Sequence, residues 1–422
     1  MKPIKTLFFF FSFILFMIFS SKIFCQVKLG IFSGVVDTAK KLKTKTENYN
    51  KPKQPNQQYN VNIVWQKSFA KESPAYDSYG IAIDSNGNIY TSGYTTSTVT
   101  GKDFLVNKFD KDGNLLWSVK FDSGPSDLGM NISPDQSGNF FVTGQSWNNT
   151  GWNWDILTIK FKPNGETIWQ KKYNGGDADG GFGIAVDQNS GSVYVSGTSS
   201  RGVNSDDIIL IKYDTNGNTV WISTYNAGVK DHGYSVALDK DGNVYICGYV
   251  LNGTNMTYDY ILIKYDKDGN LLWHKVYDSS YNDNAIGVAV DSSNNIYVTG
   301  QTYNGSNYDY LTIKYDSNGN PIWKKVYDTG KDDLGYAIAL DKYGSVYVTG
   351  QTGHQNNNST FDFLTIKYDT DGNFCWEKTY DGGLLDGGYA IAVDEEGFVY
   401  VLGQTQVDSS NYNYLLIKYK QY

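Results

Sequence analysis

A tryptophan returns along this chain at an almost constant interval. It stands at Trp65, Trp117, Trp169, Trp221, Trp273, Trp323 and Trp376, with spacings of 52, 52, 52, 52, 50 and 53 residues. Around each copy lies the same short sentence. One version runs Ile322-Trp323, then Lys325-Val326-Tyr327, then Asp333 to Asp341 as Asp-Leu-Gly-Tyr-Ala-Ile-Ala-Leu-Asp. It continues through Val346-Tyr347-Val348-Thr349-Gly350 to Asp362-Phe363-Leu364-Thr365-Ile366-Lys367-Tyr368. A period near fifty, built from short apolar runs and Gly-Asn turns, means a radial or linear array.

Each repeat carries four strand signals. The first holds the tryptophan with an aromatic four residues on, as in Trp65/Phe69 and Trp323/Tyr327. Residues i and i+4 share one face of a strand, so the two rings are expected to pack together. The second is Ile-Ala-Val-Asp, as at 184–187; the third is Val-Tyr-Val-Thr-Gly; the fourth is Asp-Tyr-Leu-Thr-Ile-Lys-Tyr, as at 309–315. Asp84-Ser85-Asn86-Gly87-Asn88 and Asp266-Lys267-Asp268-Gly269-Asn270 read as tight hairpin turns. Their Asp-x-Asp-Gly-Asn spacing lacks the twelfth-position glutamate of a calcium loop. No helix pattern follows residue 60. Strands two and four are apolar on both faces and must be covered on both sides. Four-stranded sheets packed face to face around an axis satisfy this, whereas a sandwich of alternating strands does not.

The expectation is an all-β, seven-bladed β-propeller with four strands per blade. The small Ile-Ala-Val strand fits the crowded axis, and the Trp strand the wide rim. The array opens with a Trp strand at 61–69 and ends after a third strand at 414–419. The first strand should therefore complete the last blade and leave no open edge.

The pattern Asp-x-x-Gly-Asn-Val-Tyr-Val-Thr-Gly, followed by Asp-Tyr-Leu-x-Ile-Lys-Tyr-Asp-x-x-Gly-Asn-x-x-Trp, resembles the secreted bacterial seven-bladed propeller repeats known as SBBP. The resemblance covers residues 61–422 and implies an exported propeller without one fixed activity. A more distant similarity is to quinoprotein dehydrogenase repeats. No quinone site, vicinal cysteine pair or set of metal ligands accompanies it here.

Residues 1–25 read as a signal peptide. Lys2 and Lys5 precede an apolar core at 7–19 and a more polar exit at Ser20 and Ser21. Cleavage after Cys25 is expected; a lipoprotein reading of Cys25 and a retained anchor are the alternatives. Residues 26–60 read as a basic polar linker, with Lys40, Lys41, Lys43, Lys45, Lys51 and Lys53 among Thr, Asn, Gln and Pro. The leader holds three lysines and the linker seven against Asp37 and Glu47. A chain of net charge −8 thus leaves −16 on the array, whose one arginine is Arg201. Such a domain is a poor nucleic-acid binder. Cys247 and Cys375 fall in non-adjacent repeats and read as small buried residues rather than a disulfide.

Three groups of residues are candidates for function. An aspartate stands eight residues before the inner-strand Asp in six repeats, at Asp127, Asp179, Asp231, Asp283, Asp333 and Asp386, with Asp77 one residue closer in the first. It would form a carboxylate ring at the channel mouth, structural in role or able to take a cation. A lysine recurs in the third strand, at Lys108, Lys160, Lys212, Lys264, Lys314, Lys367 and Lys418. A charge there needs a partner. An aspartate stands five residues earlier in six repeats, with Asn413 in the seventh. The third group is Trp147, Trp152 and Trp154 in the segment 145–154. This is the least shared of the loops, which elsewhere span 249–258, 301–308 and 351–361. Tryptophan beside amide side chains suits a sugar ring, though rings folded onto the rim would serve packing alone.

His232, His274 and His354 fall in different repeats without metal-ligand spacing, and no nucleophile elbow or phosphate loop is present. The expectation is an exported, non-enzymatic, monomeric scaffold in the periplasm, at the cell surface or secreted. It would bind a protein or glycan partner on its loop face, with no cofactor, metal or membrane span after cleavage. The alternative is a secreted carbohydrate-active hydrolase or lyase using loop carboxylates.

Overall fold

A computed structural model of the protein describes residues 60–69, 76–97, 101–148, 153–202, 205–353, 360–408 and 411–421. The leader and nearly all of the linker expected from the sequence lie outside them. Seven four-stranded antiparallel sheets form the ring. Six blades follow chain order and span 76–121, 127–173, 179–225, 231–277, 283–327 and 333–380. Each runs from an inner strand to an outer Trp strand, and inner strands of successive blades pack around the axis.

The seventh blade uses both chain ends. Its inner three strands are Asp386–Val393, Val399–Gln406 and Tyr412–Gln421, and its outer strand is Val61–Phe69. That strand pairs antiparallel with the last one, from Val61 opposite Gln421 to Phe69 opposite Tyr414. This is the closure the repeat phase predicts, and it leaves the sheet complete.

The repeated residues build the packing between blades. Tyr90, Phe140 and Trp117 meet where blades one and two face each other, at centroid distances of 5.2–6.1 Å. Leu157, Ile159 and Phe161 complete that layer, all fully buried. Each inner strand carries one bulge, where register with the second strand skips a residue. The skipped residues are Tyr79, Met130, Phe182, Tyr234, Ile286, Tyr336 and Tyr389. A bulge re-aims its side chain, and the five aromatic ones meet one another. Tyr79 and Tyr336 both touch Tyr389, and Phe182 touches Tyr234, at 5.8–6.1 Å. They form a half-buried, mostly aromatic collar at the axis. The bulge also explains the glycine of Val-Tyr-Val-Thr-Gly. A Cβ on Gly248 would overlap the carbonyl oxygen of His232.

Candidate functional site

The two faces of the ring differ. One carries the tight hairpin turns. The other, the loop face, carries the connections from second to third strand and from each outer strand to the next blade. Among the described residues, a cavity of about 490 Å³ lies on the hairpin face. It is lined by Asp84, Asp135, Asp394, Glu395, Glu396 and Lys418, among others. It is remote from every candidate on the loop face.

The aspartates that open the inner strands lie on the loop face but turn inward. Asp127, Asp179, Asp231, Asp283, Asp333 and Asp386 are at most 1% exposed. Each accepts a backbone N–H four residues earlier, from Ser123, Gly175, Ala227, Ser279, Thr329 and Gly382 at 2.5–2.7 Å. Thr302 and Thr352 on the second strand donate a further bond to Asp283 and Asp333. Their hydrogen bonds tie each blade to the chain that enters it. Of Asp77 only the backbone, paired opposite Tyr94, is described.

In the blades that carry it, the aspartate five residues before the lysine faces this ring from the preceding blade. Asp309, Asp328 and Asp333 bring carboxylate oxygens within 4.8 Å of one another, and so do Asp362, Asp381 and Asp386. These are the described residues best placed to hold a cation, and protons answer the same crowding. Burial, then Asp328, pushes the Asp309 carboxyl up to about 8. Burial likewise pushes Asp179, Asp283, Asp333 and Asp386 up to about 6.

The lysines point the other way, toward the hairpin face. Each ammonium lies 4.8–5.1 Å from the ring opposite it on the second strand: Tyr90, Phe141, Tyr194, Tyr245, Tyr297, Tyr347 or Tyr400. Lys160, Lys264 and Lys367 also sit 3.9–4.0 Å from the hairpin aspartates Asp135, Asp239 and Asp341 of their own blades. Lys212, Lys264, Lys314 and Lys418 donate to turn carbonyls of the next blade at 2.9–3.2 Å. In six of the seven blades the charge is thus held by a ring and by oxygen, which is what a buried ammonium requires, and Lys108 lies over the Tyr90 ring.

Trp147 and Trp154 lie on strands rather than on a loop. The second strand runs through Asn148 and the third begins at Asn153, so the connection shrinks to 149–152. The two indoles sit directly opposite each other and pack edge to face at 5.2 Å, both half-buried. A cross-strand aromatic pair of this kind prolongs the ladder. Tyr303 and Tyr308 do the same in blade five, at 5.0 Å. Trp152 lies outside the described residues.

What sets one sector apart is a group the repeat does not contain. At the junction of blades three and four, His232 Nε2 lies 3.4 Å from Asp206 and His232 Nδ1 lies 3.2 Å from Thr198 Oγ1. Tyr249 stacks on the imidazole at 4.8 Å. Burial pushes the Asp206 carboxyl up, but hydrogen bonds from His232 and Ser200, with Lys230 nearby, outweigh it and hold it below its ordinary range. Arg201, the chain's one arginine, reaches to 3.9 Å from Asp207 with half its side chain in water.

The loops of this sector expose apolar side chains among polar ones. Val229, Met256 and Tyr281 are exposed, Met256 by 67%. Their loops are tied together. Leu251 N–H donates to the Lys230 carbonyl at 2.8 Å, and Tyr258 N–H donates to Asn282 Oδ1 at 3.0 Å. Asn252 braces the Met256 turn: its side chain accepts from Thr254 N–H and donates to Asp259, and its carbonyl accepts Met256 N–H. Met256 itself has φ +59° and Ser280 φ +72°. Positive φ costs a residue with a side chain free energy and persists where surroundings enforce it, often at recognition sites. The sequence held two clues to this sector, a lone Arg201 and a histidine outside the repeat. Their meeting in space depends on the fold.

Comparison with known proteins agrees with the architecture. Residues 73–99 match the SBBP family model, described as a beta-propeller repeat. That match within the first blade and the seven-bladed ring together support an SBBP-type β-propeller. It is 24% identical over 312 residues to an uncharacterized WD repeat-containing protein of Acanthamoeba polyphaga mimivirus, covering 56% of this chain and 22% of that relative. The chain therefore spans under a quarter of that protein's length. Among solved structures it resembles a catalytically inactive virginiamycin B lyase from Staphylococcus aureus with quinupristin. That likeness has a TM-score of 0.55 and 11% identity, over 84% of this chain and 99% of the lyase. It also resembles the Pan2 WD40 domain of Neurospora crassa, with a TM-score of 0.53 and 12% identity over 87% and 97% of the two chains. At these identities the likeness is one of fold. Among the described residues no helix is long and apolar enough to cross a membrane.

Proposed function

We propose that this propeller is an exported binding scaffold and that the blade-four sector of its loop face holds a protein partner. The observation that carries the reading is the braced, exposed Met256, on a loop hydrogen-bonded to the two loops that carry Val229 and Tyr281. Methionine, tyrosine and arginine are enriched where proteins recognise one another, and a loop already held in shape loses little entropy on binding. A glycan fits this sector less well. A sugar needs free donors and acceptors, whereas the nearby amides are committed: Asn252 to Asp259 and its own turn, Asn282 to Tyr258. The enzymatic alternative has one observation to consider, the hydroxyl–imidazole–carboxylate series of Thr198, His232 and Asp206. Thr198 is 6% and His232 8% exposed, so the series is closed to a substrate and reads as a brace.

Photo-crosslinking tests the proposal. A photoreactive residue placed at Met256 should capture a partner protein from the exporting cell's envelope or medium. The same residue at Tyr343, exposed on the hairpin face, should not. Equal capture at both positions would contradict the reading.

A further inference from the structure

The cavity on the hairpin face, about 490 Å³ in volume, opens where the inner strands of blades seven, one and two end. Val393, Ile83 and Pro134 are the last residues of those three strands. They give the cavity a half-buried apolar lining. Around them stand five carboxylates against two lysines. Asp84 comes from blade one, Asp135 from blade two, and Asp394, Glu395 and Glu396 from blade seven.

Both lysines are already engaged. Lys418 Nζ donates to the Lys111 carbonyl at 3.2 Å and lies over the Tyr400 ring at 4.8 Å, and Lys111 pairs with Asp112 at 3.9 Å. Asp84, Asp135 and Asp394 are fixed by N–H groups of their own turns. Glu395 and Glu396 are both exposed, and among the described residues their carboxylates accept no hydrogen bond and pair with no lysine. The neighbouring Lys342 donates to the Glu395 backbone carbonyl instead, at 2.9 Å. This excess of negative charge is not a property of the repeat. Where blade seven has Glu395, blades four and six have Lys240 and Lys342. A concave site with apolar walls and charge of one sign concentrates ions of the other.

We propose that this cavity is a binding site for a linear polyamine. The acids are spread over three blades, which suits an extended cation carrying several charges. Among the described residues, the acid groups tight enough to share one metal ion lie on the loop face instead. Alkyl amines of the lysine kind titrate near ~10.4 and are charged at neutral pH. Their methylenes would lie along Ile83, Pro134 and Val393, as a lysine stem lies on apolar surface, with the ammonium groups turned to the acids. The site is on the face opposite the blade-four sector and stands whether or not a protein partner docks there.

Titration calorimetry of spermidine into the full chain tests the proposal, with Mg²⁺ at matched ionic strength as the comparison. The parent should show saturable binding. Glu395→Gln with Glu396→Gln should weaken it at least tenfold, since the charges removed face the ligand. Neither carboxylate holds another part of the chain, so the Tm of this variant should match the parent's. Asp268→Asn with Asp371→Asn removes the same charge from exposed turns outside the cavity and should leave the affinity unchanged. Absence of saturable spermidine binding, an equal loss in both double variants, or Mg²⁺ bound as tightly as spermidine overturns the proposal.

Discussion

Gly372 lies flat against the indole of Trp323, one blade away. A Cβ on that glycine would stand 2.8 Å from the ring, and its φ is +78°. The indole N–H meets the carbonyl of Thr370 in the same turn at 3.2 Å, and Lys314 Nζ donates to that carbonyl at 3.0 Å. The glycine of the turn between third and outer strand, at Gly113, Gly217, Gly269, Gly319 and Gly372, thus serves the neighbouring blade as much as its own hairpin. Gly372→Ala should cost about 2 kcal/mol, from the strained φ and the forced shift of the indole. Denaturant melts read the loss, and a red-shifted tryptophan emission should accompany it. A variant as stable as the parent would contradict the contact.

Asp231 is one donor short. Asp283 and Asp333 each receive a threonine hydroxyl from the second strand, whereas Asp231 faces Val250, and its Oδ1 is buried without a hydrogen-bond partner. Val250→Thr should restore the missing bond and stabilise the protein by about 1 kcal/mol. Thermal melting checks this, and a lowered Tm would count against it.

The raised carboxyls fix the sign of the pH response. Asp179, Asp283, Asp333 and Asp386 hold their protons up to about 6 in the folded ring, against an ordinary 3.8. Folded chains therefore bind more protons than unfolded ones between those values. Their contribution is fully present below 3.8 and is lost as pH rises through about 6. The lowered pKa of Asp187 and Asp206 works in the opposite direction and is lost on acidification. Tm should therefore be higher near pH 5 than near pH 7.5. Asp283→Asn with Asp333→Asn should shrink that difference. A Tm that rises steadily from pH 5 to 7.5 would contradict the account.

The Trp147–Trp154 pair should behave as packing. Trp154→Ala should cost at least the ~1 kcal/mol that an edge-to-face pair adds beyond its buried area. A variant with parental stability and lost partner binding would move these rings from the strand ladder to the recognition surface.

The ring was legible in the sequence because seven copies of one pattern vote on each position. Period, turn chemistry and repeat phase together reach the pairing of Val61–Phe69 with the last strand, since each follows from local rules applied seven times. The amides and glycine between Trp147 and Trp154 read as turn, and the cross-strand contact that carries both rings onto the ladder is not local. Arg201, His232 and Met256 were beyond reach for a related reason. Arg201 and Met256 lie on loops of blades three and four and His232 on an inner strand, and only the packing of the two blades sets His232 against Asp206. Positive φ at Met256 has no mark in the residue itself, since the brace is Asn252, four positions earlier.

Docking of a protein partner on the loop face around blade four is open to direct measurement. Titration calorimetry of the partner captured through Met256 tests it most directly, against the parent, a Met256→Ala plus Arg201→Ala variant, and Tyr343→Ala. Interface anchors lose ~2 kcal/mol on truncation, so the double variant should bind about thirtyfold more weakly while Tyr343→Ala binds as the parent does. Parental affinity in the double variant, or a loss confined to Tyr343→Ala, would contradict the claim.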